Sequence, residues 1–125
     1  MDWQALVGRR AKREPPAQGG WNIFMTTFNG LDVANPAVNP AMNASGDKAW
    51  PGWPSDAELE KLRADFLRAI TDTERKKIAD AAQERALVIG THAVLGEYFQ
   101  PIALRKTITG YVDGPVYVYW NLDRR

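Results

Sequence analysis

Apolar positions near the start of the chain recur at helical spacing, with Trp3, Leu6, Val7 and Arg10 sharing one face. This spacing predicts a short helix over residues 2–12, capped by Asp2 and stopped by Glu14-Pro15-Pro16. After a Gln18-Gly19-Gly20 turn comes Trp21-Asn22-Ile23-Phe24-Met25-Thr26-Thr27-Phe28, aromatic and β-branched on both faces and bounded by glycines. That pattern predicts a buried strand. Buried strands need partners on both edges, and few candidates lie nearby in the sequence.

Residues 29–54 carry Asn, Pro, Gly and Ala with no sustained period. A loop this long inside a domain points to function. Trp50 and Trp53, set between prolines, predict that it is packed. Two helices follow. Ser55 with Glu58 reads as a capping box, and Leu59, Leu62, Phe66 and Ile70 form the apolar stripe of the first helix. Thr71 with Glu74 reads as a second box, opening a helix striped by Ile78, Ala82, Ala86 and Ile89 and closed by Gly90. The short connection makes the pair an antiparallel hairpin, expected to pack on a sheet. Beyond Gly90 the pattern predicts strands over 92–100, 101–106, 107–112 and 116–120, with a turn at Asp113-Gly114-Pro115.

The chain has 125 residues, a length that suits one domain. With 45% hydrophobic and 25% charged residues, wholesale disorder is not expected. A net charge of +1 supplies no field that would draw it to nucleic acid or to anionic lipid. Arg9, Arg10, Lys12 and Arg13 cluster at the end of the first helix, where cations complement the helix dipole, and they read as a solvated helix end rather than a phosphate patch. Zero cysteines exclude disulfides, thiol catalysis and cysteine-ligated metal sites. No apolar run reaches the ~20 residues of a membrane span, and the first residues do not read as a signal peptide.

Catalytic patterns are sparse. His92 is the single histidine, without carboxylates at ligand spacing, so no metal site is expected. There is no serine elbow and no glycine-rich phosphate loop. Glu97 stands alone as a general-base candidate, and a hydrolase using Glu97 and His92 is the least favoured reading. The chain reads as a non-enzyme without a cofactor. What is enriched is Trp21, Phe28, Trp50, Trp53, Tyr98, Phe99 and Trp120 alongside Asn29, Asp32, Asn35 and Asn39. Aromatic walls with a few fixed polar groups suit a small-ligand pocket. Taken one at a time, Asp32, Asn35 and Asn39 equally suit turn bonds to their own backbone.

The series Gly19-Gly20-Trp21-Asn22, Asp32-Val33-Ala34-Asn35-Pro36, Ala57-Glu58-Leu59, Asp72-Thr73-Glu74-Arg75, Gly96-Glu97-Tyr98-Phe99-Gln100-Pro101, Arg105-Lys106, Thr109-Gly110 and Trp120-Asn121 resembles the C-terminal portion of the bacterial extracellular solute-binding proteins of family 5. These are the peptide- and nickel-binding type of ABC importers. The likeness runs over nearly the whole chain; no single motif is decisive, but their order is specific.

The resemblance implies an α/β fold, the C-terminal part of the second lobe of a two-lobed periplasmic binding protein, with a helical hairpin packed on a mixed sheet. Residues 1–100 would form the partial second lobe and residues 101–125 the segment that crosses the hinge and returns to the first lobe. Met1 would be an internal methionine, and strands upstream of it would supply the missing partners of 21–28. In peptide-binding members an acidic residue in the loop after the matching strand holds the ligand's α-amino group. Asp32 takes that place here, with Phe28 as an aromatic wall and Asn29 and Asn35 beside them. Asn35 stands before Pro36 where an aspartate is usual, which leaves the cargo open. The implied function is binding of a peptide-like or other small polar solute in the periplasm for an ABC permease. The alternative is an autonomous, self-associating interaction domain without ligand. In either case the chain alone is expected to form a homo-oligomer, a two-fold dimer with its C-terminal segment against the other copy.

Overall fold

Asp2 starts the first helix, its carboxylate accepting from the Ala5 N–H at 2.8 Å. Helix α1 spans Trp3–Arg10, as the spacing predicts. The computed structural model describes residues 1–125. After α1 the prolines lead into a 3-10 turn at Pro16–Gln18, and the chain reverses at Gly19 and Gly20. Gly20 is obligatory there, since a Cβ would lie 1.6 Å from the Glu14 carbonyl oxygen.

Residues 21–28 do not form the expected strand. The segment is extended but has no ladder partner, and backbone groups without a neighbouring chain make no sheet. Only one side is covered. Trp21, Phe24 and Phe28 turn inward, while Ile23 and Met25 are 86% and 72% exposed.

The long segment that follows is packed, built from 3-10 turns at Gly30–Val33, Pro40–Met42 and Gly46–Lys48. Asparagines start the first two, Asn29 accepting from Leu31 N–H at 3.4 Å and Asn39 from Ala41 N–H at 3.0 Å. The segment closes on itself where Ser45 bridges Ser55, with Gly46 N–H donating to the Pro54 carbonyl at 2.8 Å.

Helix α2 (Ala57–Arg68) and helix α3 (Asp72–Ile89) form the predicted hairpin. The cap of α2 is Asp56, accepting from Leu59 N–H at 2.8 Å, and not Ser55. Ser55 is instead drawn into the bridge to Ser45. At α3, Thr71 accepts from Glu74 N–H at 3.2 Å, whereas the Glu74 carboxylate receives Ile70 N–H at 3.4 Å. Gly90 ends α3 in the left-handed region at φ 70°. The core joins Leu59 of α2 to Ala82 and Ala86 of α3, with Met42 and Ala44 from the loop and Leu62 and Ile89 at its margin. The hairpin therefore packs on the loop and not on a mixed sheet. Phe66 is only half-buried, and Ile70 lies in the connection, 88% exposed, outside the stripe.

The expected strands over 92–100 and 101–106 are absent, and those residues are exposed apart from half-buried His92. Within 107–112 and 116–120 the structure retains strand β1 (Ile108–Thr109) and an isolated bridge from Val112 to Val118. The sheet is a two-stranded antiparallel pair, β1 with β2 (Asp123–Arg124), in register Ile108 to Arg124 and Thr109 to Asp123. The chain exposes 9795 Å². A free-standing globule of its mass would expose about 6,700 Å². Helices and a small sheet are present, so the fold is mixed α/β in its elements, but most of the strand-like sequence lacks a partner within the chain.

Candidate functional site

The four residues singled out as ligand-binding sit on the first part of the long loop. Phe28 is half-buried with its ring centroid 5.2 Å from Trp50. Asn29 is exposed; its oxygen receives Leu31 N–H and its amide nitrogen donates to the Pro115 carbonyl at 2.8 Å. That bond ties the loop to the C-terminal segment. Asn35 accepts from Ala37 N–H at 3.0 Å and Val38 N–H at 3.3 Å. Its oxygen therefore works as a turn-former, as does that of Asn39. Asp32 differs. It lies exposed in the Gly30–Val33 turn, and it takes part in none of the chain's ion pairs. Of the four, it is the one charged side chain.

Beneath Phe28 the aromatic residues stack into one cluster. Trp21 meets Phe24 edge-on at 4.6 Å and Trp53 at 6.3 Å, and Phe24 lies 5.4 Å from Trp50. The tight Trp50-Pro51-Gly52-Trp53 turn fixes two of these rings. Trp53 N–H donates to the Trp50 carbonyl at 2.9 Å, and Gly52 at φ 112° takes the position where such a turn needs a left-handed residue.

The basic end of α1 is exposed at Arg9, Lys12 and Arg13, as the sequence suggested, but Arg10 is half-buried and the cations of this end also meet aromatic rings. The Arg10 guanidinium lies 4.6 Å from the Trp50 ring, 5.4 Å from Trp3 and 6.0 Å from Phe24. Arg13 covers Trp53 at 4.4 Å and pairs with Asp47 at 2.5 Å. Arg9 donates to the Gly20 carbonyl at 3.1 Å, and Trp21 Nε1 donates to the Arg10 carbonyl at 2.9 Å. Cations over aromatic faces are attracted by the ring quadrupole, so α1 is fastened to the loop by its arginines. Sequence reasoning missed this because the rings lie far along the chain from the charges.

Two further ionic clasps shape the loop. Arg63 of α2 donates from Nε to the Pro36 carbonyl at 2.8 Å, from Nη2 to the Ala37 carbonyl at 3.2 Å and from Nη1 to Glu60 at 2.6 Å. Glu60 in turn receives Ala44 N–H at 2.8 Å. Arg85 of α3 holds Asp56 at the start of α2. The Glu60/Arg63 spacing of three was a visible signal, but it identifies a helix pair and not the carbonyls beyond it. His92 Nδ1 lies 2.9 Å from the Thr91 hydroxyl, and Glu97 is exposed. No group of three or more His, Asp or Glu side chains is arranged around a metal position. No helix is long and apolar enough to cross a membrane.

The structure thus sets an exposed, carboxylate-bearing loop on an aromatic cluster, beside strand-like segments that find no partner in the chain. Comparison with known proteins finds a likeness to a binding protein of an ABC transporter. The chain is similar to a probable peptide ABC transporter periplasmic-binding protein of Sinorhizobium fredii, 37% identical over 123 residues. The match takes in 98% of this chain and 23% of the relative, so the chain spans about a quarter of that protein's length. No family model matches the chain. The resemblance drawn from the ordered motifs is thereby borne out.

Proposed function

We propose that the chain is a C-terminal part of a periplasmic solute-binding protein that presents a ligand-side loop to a peptide-like or other small polar solute for an ABC permease. The observation that carries this reading is the 37% identity over 98% of the chain. In this reading residues 1–100 belong to the second lobe and residues 101–125 return toward the first. Asp32 receives the cationic end of the solute, Phe28 walls the site, and Asn29 and Asn35 hold the loop's shape while their remaining amide positions face the ligand. Binding, not turnover, is the activity, and the full-length setting is the periplasm.

The test is titration with a mixture of short peptides, read by tryptophan fluorescence, since Trp50 lies against Phe28. Free-amine peptides are expected to change the emission and N-acetylated peptides to do so far less, with Asp32→Asn abolishing the difference. An equal response to both would remove Asp32 from the amine role. No response up to millimolar peptide would overturn peptide binding by this chain.

The second reading, a self-associating interaction domain, is favoured by one observation, the exposure of Phe99, Trp120, Ile70 and Ile23 at 101%, 88%, 88% and 86%. Unchanged oligomeric mass on adding peptide, together with no fluorescence response, would support it over the first.

A further inference from the structure

We propose that Arg63 is the positioning residue of the ligand loop, a role that rests on the reading of that loop as the solute-binding face. Its side chain is 15% exposed, and its guanidinium has a three-way set of acceptors: the Pro36 carbonyl, the Ala37 carbonyl and the Glu60 carboxylate. Two of those acceptors are consecutive backbone carbonyls immediately after Asn35. The planar fork of arginine reaches both while a third N–H meets Glu60, a geometry that a lysine ammonium does not reproduce.

The same short stretch is bound from the other side by Asn35, whose oxygen takes the Ala37 and Val38 N–H groups while its carbonyl takes Asn39 N–H at 3.1 Å. Asn35 thus gathers the amides of residues 37–39 and Arg63 the carbonyls of residues 36–37. Together they leave this backbone one conformation without regular secondary structure. Glu60 extends the clasp to Ala44, next to the buried core residues Met42 and Leu59. The loop that carries Asp32 is therefore indexed to helix α2, which holds the fully buried Leu59. Arg63 reaches no ligand position itself; it acts through the backbone between Asn35 and Asn39.

The experiment is amide hydrogen exchange on the intact chain, comparing wild type with Arg63→Lys. The amides of Ala37, Val38 and Asn39 are expected to exchange about ten-fold faster in the variant, the loss of roughly one or two net hydrogen bonds. The amides of Ala82 and Ala86 in α3 are expected to stay unchanged. Unaltered exchange at 37–39 overturns the proposal, and so does an equal rise in α3, which would make Arg63 a general stabiliser. Should Arg63→Lys fail to fold, Glu60→Gln decides by the same two regions. A parallel titration with trialanine separates this from the function reading. If wild type binds it, Arg63→Lys is expected to weaken binding at unchanged melting temperature, and undiminished binding overturns the positioning role. If wild type does not bind it, the function reading fails while the exchange result still decides the role of Arg63 in the loop.

Discussion

The Arg85 guanidinium meets the Asp56 carboxylate with two hydrogen bonds, Nε to Oδ1 at 3.1 Å and Nη2 to Oδ2 at 2.5 Å, so helix α3 holds the residue that starts helix α2. Arg85 also reaches Glu58 at 3.2 Å. The one carboxylate of Asp56 therefore caps a helix and closes the hairpin at its open end, opposite the Ala69-Ile70-Thr71 connection.

Acid should loosen this joint. The Arg85 hydrogen bonds, and after them the Leu59 N–H, hold the Asp56 carboxyl below the usual aspartate range. Lys61 does the same for Asp65. A folded-state pKa lower than the unfolded value means that the unfolded chain takes up protons first. The stabilisation is fully present above the unfolded value of about 3.9 and is lost as pH falls through the lower folded value. Melting temperature is expected to hold steady from about pH 6 to about pH 4 as far as these groups determine it, then to drop, with a shallower drop in Asp56→Asn. The same acid slope in both proteins would show that the pair adds nothing to the pH dependence.

Leu59 and Phe66 separate what the apolar stripe could and could not reveal. Leu59 is fully buried and Phe66 half-buried, although both fall on the same predicted face. Leu59→Ala should lower stability by about 2–5 kcal/mol, and Phe66→Ala by clearly less, measured by urea unfolding. Equal losses would mean that Phe66 is as enclosed as Leu59.

The helices were legible because their signals are local: capping side chains, spacing of three and four, and a closing Gly90. The strand-like segments were legible as extended chain but not as sheet, because a ladder depends on a second segment. Residues 21–28 and 92–106 find none in this chain. The loop turns were half-legible. Asn35 and Asn39 were readable as turn-formers, whereas the Arg10 stack on Trp50 and the Arg63 grip on Pro36 join residues 40 and 27 positions apart, beyond any local pattern.

Two glycines should respond in opposite directions to the same change. A Cβ at Gly20 would fall 1.6 Å from the Glu14 carbonyl oxygen, and backbone must move to admit it. Gly8 sits inside α1 with nothing within 4 Å of its Cβ position. Gly20→Ala should destabilise the turn and displace Trp21, altering its fluorescence. Gly8→Ala should stabilise α1 by about 0.5–1 kcal/mol through the entropy that Gly loses in a helix. A tolerated Gly20→Ala would show that residues 14–20 do not turn this tightly.

The Arg10 stack should be separable from simple charge. Arg10 has rings around it but no place among the chain's ion pairs, whereas the Arg13–Asp47 pair is exposed on both sides. A double-mutant cycle on Arg10 and Trp50 should give a coupling of about 0.5–2 kcal/mol. Because it works at contact distance against partly buried rings, the coupling should survive added salt better than that of Arg13 with Asp47, which is expected to be small and screened. A coupling at Arg10 that vanishes in salt would mark it as an ordinary surface charge.

The uncovered surface should drive copies of the chain together. Its 9795 Å² of exposed area exceeds the globular expectation by roughly 3,000 Å², and a stable interface needs only about 800 Å² from each partner. The excess is apolar where it matters: Phe99 is 101% exposed, Trp120 88% and Ile23 86%. Residues 21–28 are extended with backbone that pairs with no other segment, the feature that recruits another strand. Burying each such side chain contributes roughly 1.5–3 kcal/mol, enough for several together to offset the freedom lost on association. Sedimentation at micromolar concentration should therefore give twice the 14.0 kDa chain mass, with Trp120 emission shifted to the blue on dilution-reversible assembly. Ile23→Lys should shift the equilibrium back if edge pairing carries it, and Trp120→Arg if the C-terminal segment does. A single 14.0 kDa species at every concentration, with neither variant altering it, would mean that the exposed apolar surface does not drive self-association.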